Sequence, residues 1–205
     1  SAVSFVILYN TNVVTYRELP TGWDSLLEPR WKGRVAVPDP LKSDMAASVL
    51  TEAAKNSEKE EFLDLLAENM QYQMPETFKE VGISDGRYSI GVTSEEAAKA
   101  MLAAGQDVDY IDPEEGECFF EDGTAIRKRT PNLDASEAFV TYTTCDDTKW
   151  LLRTQLLRQP AEDVAAENDR SDEDLKQRYS RQQEVLNIWK LIMEEKTGPA
   201  HEQEQ

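Results

Sequence analysis

Histidine and cysteine are scarce in this sequence of 205 residues. The only histidine, His201, lies in a polar terminal stretch that is predicted to be disordered. Histidine-dependent triads and histidine metal sites therefore lose their central residue, and we predict neither a metal nor a cofactor. Cys118 and Cys145 are too far apart for a redox or zinc motif. Two alternatives stay open for them, a disulfide bridge in an oxidising compartment or two inert thiols.

Basic residues are fewer than acidic residues, and long apolar runs are absent. Asp and Glu number 40 and Lys and Arg number 22, which gives a formal charge of −18. Such a surface repels phosphate backbones and anionic lipid heads, so we expect no nucleic acid partner and disfavour membrane-surface binding. No apolar run approaches the roughly 18 residues that span a bilayer, and no signal peptide opens the sequence. These absences predict either a cytosolic protein or one whose export signal has been removed.

Short apolar runs alternate with helical patterns through the first half of the sequence. Strands are predicted in SFVILYN, RVAVPDP, YSIGVT and DVDYID, which are rich in β-branched residues and bounded by turn formers. Helices are predicted in SDMAASVLTEAAKN, SEKEEFLDLLAENM and TSEEAAKAMLAAG. The order of these elements predicts an α/β fold with a mostly parallel sheet flanked by helices.

Beyond Pro113 the pattern changes. ECFFEDGTAIRKRT predicts two strands around a turn at Asp122 and Gly123. Three further helices are predicted in DASEAFVTYTT, DDTKWLLRTQLL and DEDLKQRYSRQQEVLNIWKLIMEEK. The last helix is expected to bury Leu175, Tyr179, Leu186, Trp189 and Ile192, and the four tryptophans, Trp23, Trp31, Trp150 and Trp189, are expected in the core.

Two predicted helices begin directly after strands, where α/β proteins bind ligands with helix N-terminal N–H groups. At the first, Ser43 and the N–H groups of Asp44 and Met45 could hold an oxyanion. Asp44 itself either attracts an amine or caps the helix, and both alternatives stay open.

At the second place, Thr93 and Glu96 stand in the T-x-x-E relation of a capping box. The box does not account for Glu95, which is therefore a candidate to face a ligand. Adjacent helix positions point about 100° apart, so Glu95 and Glu96 are not expected to flank one bond as an acid–base pair. We predict that the protein is not an enzyme.

Five ordered blocks carry a wider resemblance: YNTNVV, LPTGWDSLLEPRWKGRVAVPDP, DGRYSIGVTSEEAAKAMLAAG, YIDPEEGE and DGTAIRKRTPNLDASEAFV. Together they resemble the extracellular or periplasmic solute-binding proteins of ABC importers, most of all the branch with ferric-iron, phosphonate and polyamine binders. The resemblance implies a type II periplasmic-binding-protein fold, in which a ligand cleft lies between two α/β lobes.

The resemblance also implies a division of the chain. Residues 1–112 correspond to the core of the second lobe, 113–145 to a segment that returns to the first lobe, 146–196 to helices that pack on the second lobe, and 197–205 to a disordered tail. The opening portion of the family, which builds most of the first lobe and carries the export signal, has no counterpart in this sequence. Because the return segment lacks its usual cover, we expect a dimer through it or high mobility there.

The function implied by the resemblance is capture of a small molecule or ion between the lobes and its delivery to a membrane ABC permease. The location implied is extracellular or periplasmic, with a lipoprotein anchor. A ligand-sensing input domain and a hinge-closing enzyme of the same fold are the alternatives.

The ligand-binding residues expected from the resemblance and the strand ends are Ser43, Asp44, Thr77, Ser94, Glu95 and Glu115. Iron binders place a tyrosine pair where this sequence has Ser94 and Glu95, which disfavours ferric iron. The acidic candidates favour a cationic or zwitterionic ligand, whereas the helix N-termini favour an anion. Phosphonates, sugar phosphates, polyamines and ferric complexes therefore all stay open.

Overall fold

The computed structural model describes residues 1–70, 83–116, 118–121, 123–154 and 172–197. Within them the strands are β1 (Ala2–Asn10), β2 (Val35–Ala36), β3 (Ile90–Ser94), β4 (Val108–Ile111) and β5 (Cys118–Glu121). The helices are α1 (Asp44–Asn56), α2 (Phe62–Asn69), α3 (Glu95–Ala103), α4 (Leu133–Thr144), α5 (Asp146–Thr154) and α6 (Asp172–Thr197). Short 3₁₀ helices at Tyr16–Glu18, Trp23–Leu27 and Pro29–Trp31 connect β1 to β2.

Strand β1 lies at the centre of the sheet and runs against its neighbours. It pairs antiparallel with β3 along one edge, and its other edge pairs antiparallel with β4 and with β5. Strand β2 pairs parallel with β3, so β2, β3, β4 and β5 all run in one direction. The predicted α/β class and flanking helices are confirmed. Four of the strands share a direction as expected, but the sheet is mixed because β1 is inserted between them.

Alternate residues of β1 face two helical layers. Phe5 and Ile7 lie in a buried cluster with residues of α1, α2 and α6. Val6 and Leu8 lie in a second cluster with Ala98 of α3. Successive side chains of a strand point to opposite faces, and both faces of β1 are covered by helices. This double burial explains why the strand reads as an unbroken apolar run.

Tryptophan burial separates the core from α4 and α5, the first two helices after β5. Trp23, Trp31 and Trp189 are almost fully buried, as predicted, but the side chain of Trp150 in α5 is 58% exposed. Neither α4 nor α5 has a buried residue. The prediction of a core position is therefore wrong for Trp150, because its helix contributes no residue to the core.

After Pro113, the structure forms one of the two predicted strands. Strand β5 joins the sheet through pairs such as Phe5 with Cys118, whereas residues 123–130 form no strand. Residue 122, on which the predicted turn depends, lies outside the described residues. Of the predicted disordered tail, 197–205, residues 198–205 with His201 also lie outside them. The helices predicted here are confirmed as α4, α5 and α6, but Tyr179 is 65% exposed instead of buried.

Both cysteines are free thiols, so the bridge alternative is wrong for this structure. Cys118 is fully buried beneath α1, and this burial strongly raises the pKa of its thiol. A thiol of raised pKa is a poor nucleophile. No helix of the described residues is long and apolar enough to cross a membrane.

Candidate functional site

One edge of the sheet brings together candidate residues from distant parts of the sequence. Because they share a direction, β2, β3 and β4 all end towards the edge of the sheet where β1 begins, and β5 follows β4 along β1 towards that edge. We call it the carboxyl edge. Ser43 lies between β2 and α1, and Ser94 ends β3 at the start of α3. Helix starts of this kind present N–H groups that have no acceptor within the helix.

The start of α1 is capped by Ser43. Its Oγ accepts a hydrogen bond from the N–H of Ala46 at 3.2 Å. Asp44 is the first residue of the helix and is exposed. The alternative that Asp44 caps the helix is therefore wrong, because the preceding serine provides the capping oxygen. The Asp44 carboxylate instead lies in the first turn, where the helix dipole favours a negative charge.

The start of α3 is capped in the same way, by Ser94. Its Oγ accepts a hydrogen bond from the N–H of Ala97 at 3.2 Å. The predicted capping box at Thr93 and Glu96 is wrong by one residue. Strand β3 continues through Ser94, and Thr93 is a fully buried strand residue.

Replacing Ser94 by alanine is expected to lower the free energy of unfolding by about 1 kcal/mol, because the N–H of Ala97 loses its acceptor. Ser94→Thr keeps a hydroxyl oxygen at this position and serves as the control. Denaturant unfolding of both variants measures the difference. Equal losses for alanine and threonine would show that the hydroxyl does not cap the helix.

Glu95 is held by two partners at the carboxyl edge. The hydroxyl of Ser4, near the start of β1, donates to Glu95 Oε2 at 2.9 Å. Lys99 Nζ, one turn along α3, lies 2.5 Å from Glu95 Oε1. Partial burial pushes the pKa of Glu95 upward, but the hydrogen bonds from Lys99 and Ser4 and the charge of Lys99 outweigh it. The pKa of Glu95 therefore lies below its ordinary value, and its carboxylate stays ionised at neutral pH.

Tyr110 and Asp112 lie close enough to Lys99 to interact with its charge, and both belong to the end of β4 and the loop after it. Burial raises the pKa of Tyr110, and the negative charge of Glu95 contributes to this direction while Lys99 opposes it. Glu95, Lys99, Tyr110 and Asp112 thus form a charged cluster at one corner of the edge.

Glu115 has a structural role in this conformation. Its carboxylate accepts hydrogen bonds from the backbone N–H groups of Trp23 at 2.9 Å and Asp24 at 3.0 Å. The indole N–H of Trp23 donates to the carbonyl oxygen of Gly116 at 3.1 Å. The loop after β4 is thereby fixed to the 3₁₀ helix at Trp23–Leu27, and both oxygens of Glu115 already have protein donors.

Four of the six predicted site residues lie at helix starts that follow strands: Ser43 and Asp44 at the start of α1, and Ser94 and Glu95 at the start of α3. Glu115 is engaged in the clamp on Trp23 and Asp24, and Thr77 lies outside the described residues. Sequence reasoning missed Ser4 and Lys99. Lys99 could have been found from its i, i+4 spacing to Glu95, but Ser4 is separated from Glu95 by 91 positions. Among the described residues, no group of three or more His, Cys, Asp or Glu side chains could hold a metal ion.

Solved structures of periplasmic binding proteins share this fold. AfuA from Actinobacillus pleuropneumoniae, solved with exogenous fructose-6-phosphate bound, aligns with a TM-score of 0.73 at 17% identity over 92% of this chain. A ferric binding protein from Campylobacter jejuni aligns with a TM-score of 0.74 at 14% identity over 94% of this chain. The periplasmic binding protein P5PA aligns with a TM-score of 0.62 at 23% identity over 75% of this chain.

The family follows from the sequence match. The family described as bacterial extracellular solute-binding protein matches residues 1–183, and the chain belongs to this family. No curated protein sequence matches it. The chain spans 51% of the length of P5PA, 65% of AfuA and 68% of the Campylobacter protein.

Proposed function

We propose that the protein is the binding component of an ABC transporter, which captures a small solute at the carboxyl edge and delivers it to a membrane permease. The observation that carries the site is the Glu95 carboxylate at the start of α3, which Ser4 of β1 and Lys99 hold at the end of β3. Membership of the solute-binding family supports the class of function. Binding and release suffice for this function, so we propose no catalytic step.

A solute that carries both an anionic group and hydrogen-bond donors fits this edge best. The helix N-termini favour an anion, whereas Glu95 keeps its negative charge and accepts hydrogen bonds. Glu115 is held by the backbone N–H groups of Trp23 and Asp24, so its shown role is structural. Sugar phosphates and amine-bearing phosphonates satisfy both requirements, and polyamines satisfy one of them. We assign solute contact to Ser43, Asp44, Ser94 and Glu95, and keep Thr77 and Glu115 as weaker proposals.

The location and the assignment of segments to lobes are proposals that follow from the family. We propose an extracellular or periplasmic protein with a lipoprotein anchor, in which this chain supplies the second lobe and the segment that returns to the first. The exposed apolar side chains of α4, which lies within residues 113–145, support this division, because a helix that buries no residue has an unused surface. A dimer through the same surface is the competing proposal, and light scattering distinguishes the two.

We expect the chain alone to bind weakly, with a dissociation constant of about millimolar, because a site formed by one lobe stays open to water and its charge pairs are screened. NMR shift mapping with fructose 6-phosphate, 2-aminoethylphosphonate, spermidine and ferric citrate tests the proposal. Shifts are expected near Ser43, Asp44, Ser94 and Glu95 with the first two probes, and uncharged sorbitol serves as the control. Submicromolar binding, or shifts confined to α6, would contradict this site.

A further inference from the structure

Ser4 and Lys99 hold the Glu95 carboxylate from two different elements. Ser4 lies near the start of β1 and reaches Oε2, while Lys99 lies on α3 and reaches Oε1. Each carboxylate oxygen is therefore fixed by one partner, and the plane of the group is set by both. A carboxylate held at only one oxygen could turn about its last bond, whereas this one is constrained at two.

Two bonds do not exhaust a carboxylate. An ionised carboxylate offers about four acceptor positions, and Ser4 and Lys99 occupy two of them. The side chain of Glu95 is 27% exposed, so solvent or a solute reaches the group. About two acceptor positions are therefore left at the carboxyl edge.

We propose that Ser4 and Lys99 are positioning residues that hold the Glu95 carboxylate at the carboxyl edge, with its remaining acceptor positions directed to a hydroxyl or amine donor of the solute. This inference rests on the proposed function and adds to it two residues and the class of donor. Neither Ser4 nor Lys99 needs to contact the solute, since both act through Glu95.

The charged groups around Glu95 come from each element that packs against it. Lys99 on α3 is its cation, Ser4 on β1 its neutral donor, and Tyr110 and Asp112 lie at the end of β4. Loss of Lys99 leaves Glu95 without its cation and without one of its two hydrogen-bond donors. Losing the hydrogen bond and the charge of Lys99 raises the pKa of Glu95, because both stabilise its charged form.

The experiment compares wild type with Lys99→Met, Lys99→Arg and Ser4→Ala. Lys55→Met is the matched control, because Lys55 forms a similar exposed ion pair with Glu52 on α1. Carbon-13 NMR follows ionisation of the Glu95 carboxyl with pH, and NMR titration measures affinity for fructose 6-phosphate and for spermidine at several pH values. Circular dichroism checks that each variant is folded.

The sign of the pH effect follows from the role of the carboxylate. Ionised Glu95 accepts the solute donor, so binding is lost as the pH falls through the pKa of Glu95. In Lys99→Met and Ser4→Ala that pKa is higher, so binding is lost at a higher pH than in wild type. At neutral pH we expect affinity to fall about two- to fivefold in Lys99→Met, as for the loss of an exposed ion pair. Lys99→Arg restores the wild-type profile, and Lys55→Met leaves it unchanged.

The outcomes separate the inference from the function on which it rests. If the variants lose affinity only for fructose 6-phosphate, the solute donor is a hydroxyl. If they lose affinity only for spermidine, it is an amine. Wild type that binds neither probe overturns the proposed function and the inference together. Wild type that binds, with the same pH profile in Lys99→Met and Ser4→Ala, overturns the inference and leaves the function intact.

Discussion

Replacing Trp189 by alanine is expected to lower the free energy of unfolding by about 3–5 kcal/mol. The side chain is fully buried, and Val185 and Ile192 on the same helix are buried beside it. Most other described positions of α6 face solvent, so this short apolar row attaches the helix to α1 and α2. Removing the indole leaves a cavity that these helices can close only in part.

The matched control for this prediction is Leu191→Ala, two positions further along the helix. Leu191 is 65% exposed, so its loss is expected to change the free energy of unfolding by no more than about 0.5 kcal/mol. Trp189→Phe provides a second comparison. The indole N–H of Trp189 has no hydrogen-bond partner within the part of the chain that the structure describes, so phenylalanine keeps an aromatic ring without an unpaired donor. Denaturant unfolding that gives alanine and phenylalanine equal losses would contradict a role for the ring.

Replacing Gly22 by alanine is expected to lower the free energy of unfolding by about 2–3 kcal/mol. A methyl group at Gly22 would lie 1.7 Å from Glu115 Oε2, so the carboxylate must move. Its two hydrogen bonds, to the N–H groups of Trp23 and Asp24, are then lost. The backbone of Gly22 is extended, with φ −170° and ψ −167°, so the cost comes from this displacement and not from strain in the backbone.

A double-mutant cycle tests that cause. With Glu115→Ala already present, the added change Gly22→Ala should cost little, because the clashing group is gone. Gly123→Ala is the control for the glycine change itself, since a methyl group there meets no heavy atom within 4 Å. Calorimetric or denaturant unfolding of the four proteins in the cycle gives the coupling. Additive losses would mean that Gly22 acts independently of Glu115.

The elements of the first half of the fold could be predicted because their patterns are local. The apolar run of β1 and the serines before α1 and α3 decide structure within a few residues. The direction of β1 could not be predicted, because strand direction depends on partners that lie 80 or more positions away. The same limit explains Trp150, whose helical pattern gives no indication that its helix contributes no residue to the core.

The candidate site divides in the same way. Ser43 was predicted because a hydroxyl before a helix is a local signal. Ser94 was predicted from the end of the strand and from the resemblance, and the cap of α3 was predicted one residue early, at Thr93. One partner of Glu95 could be predicted from local spacing, whereas the donors to Glu115 could not. Lys99 lies on the same helix as Glu95, whereas the donors to Glu115 lie 91 and 92 positions away. No partner was predicted for Glu95 or Glu115, but both carboxylates accept hydrogen bonds in the folded chain.

The central place of β1 has a consequence for the order of events during synthesis. β1 is made before the other strands described here, yet its partners begin at Ile90, Val108 and Cys118. A growing chain therefore carries nine apolar-rich residues without a strand partner until β3, which begins 80 residues after Asn10, has been made. Folding that depends on such distant contacts is slow, and an unpaired strand edge invites contact with other chains. We therefore expect Ala2–Asn10 to be the segment that a chaperone protects, and the strand that aggregates first when synthesis stops before Glu121.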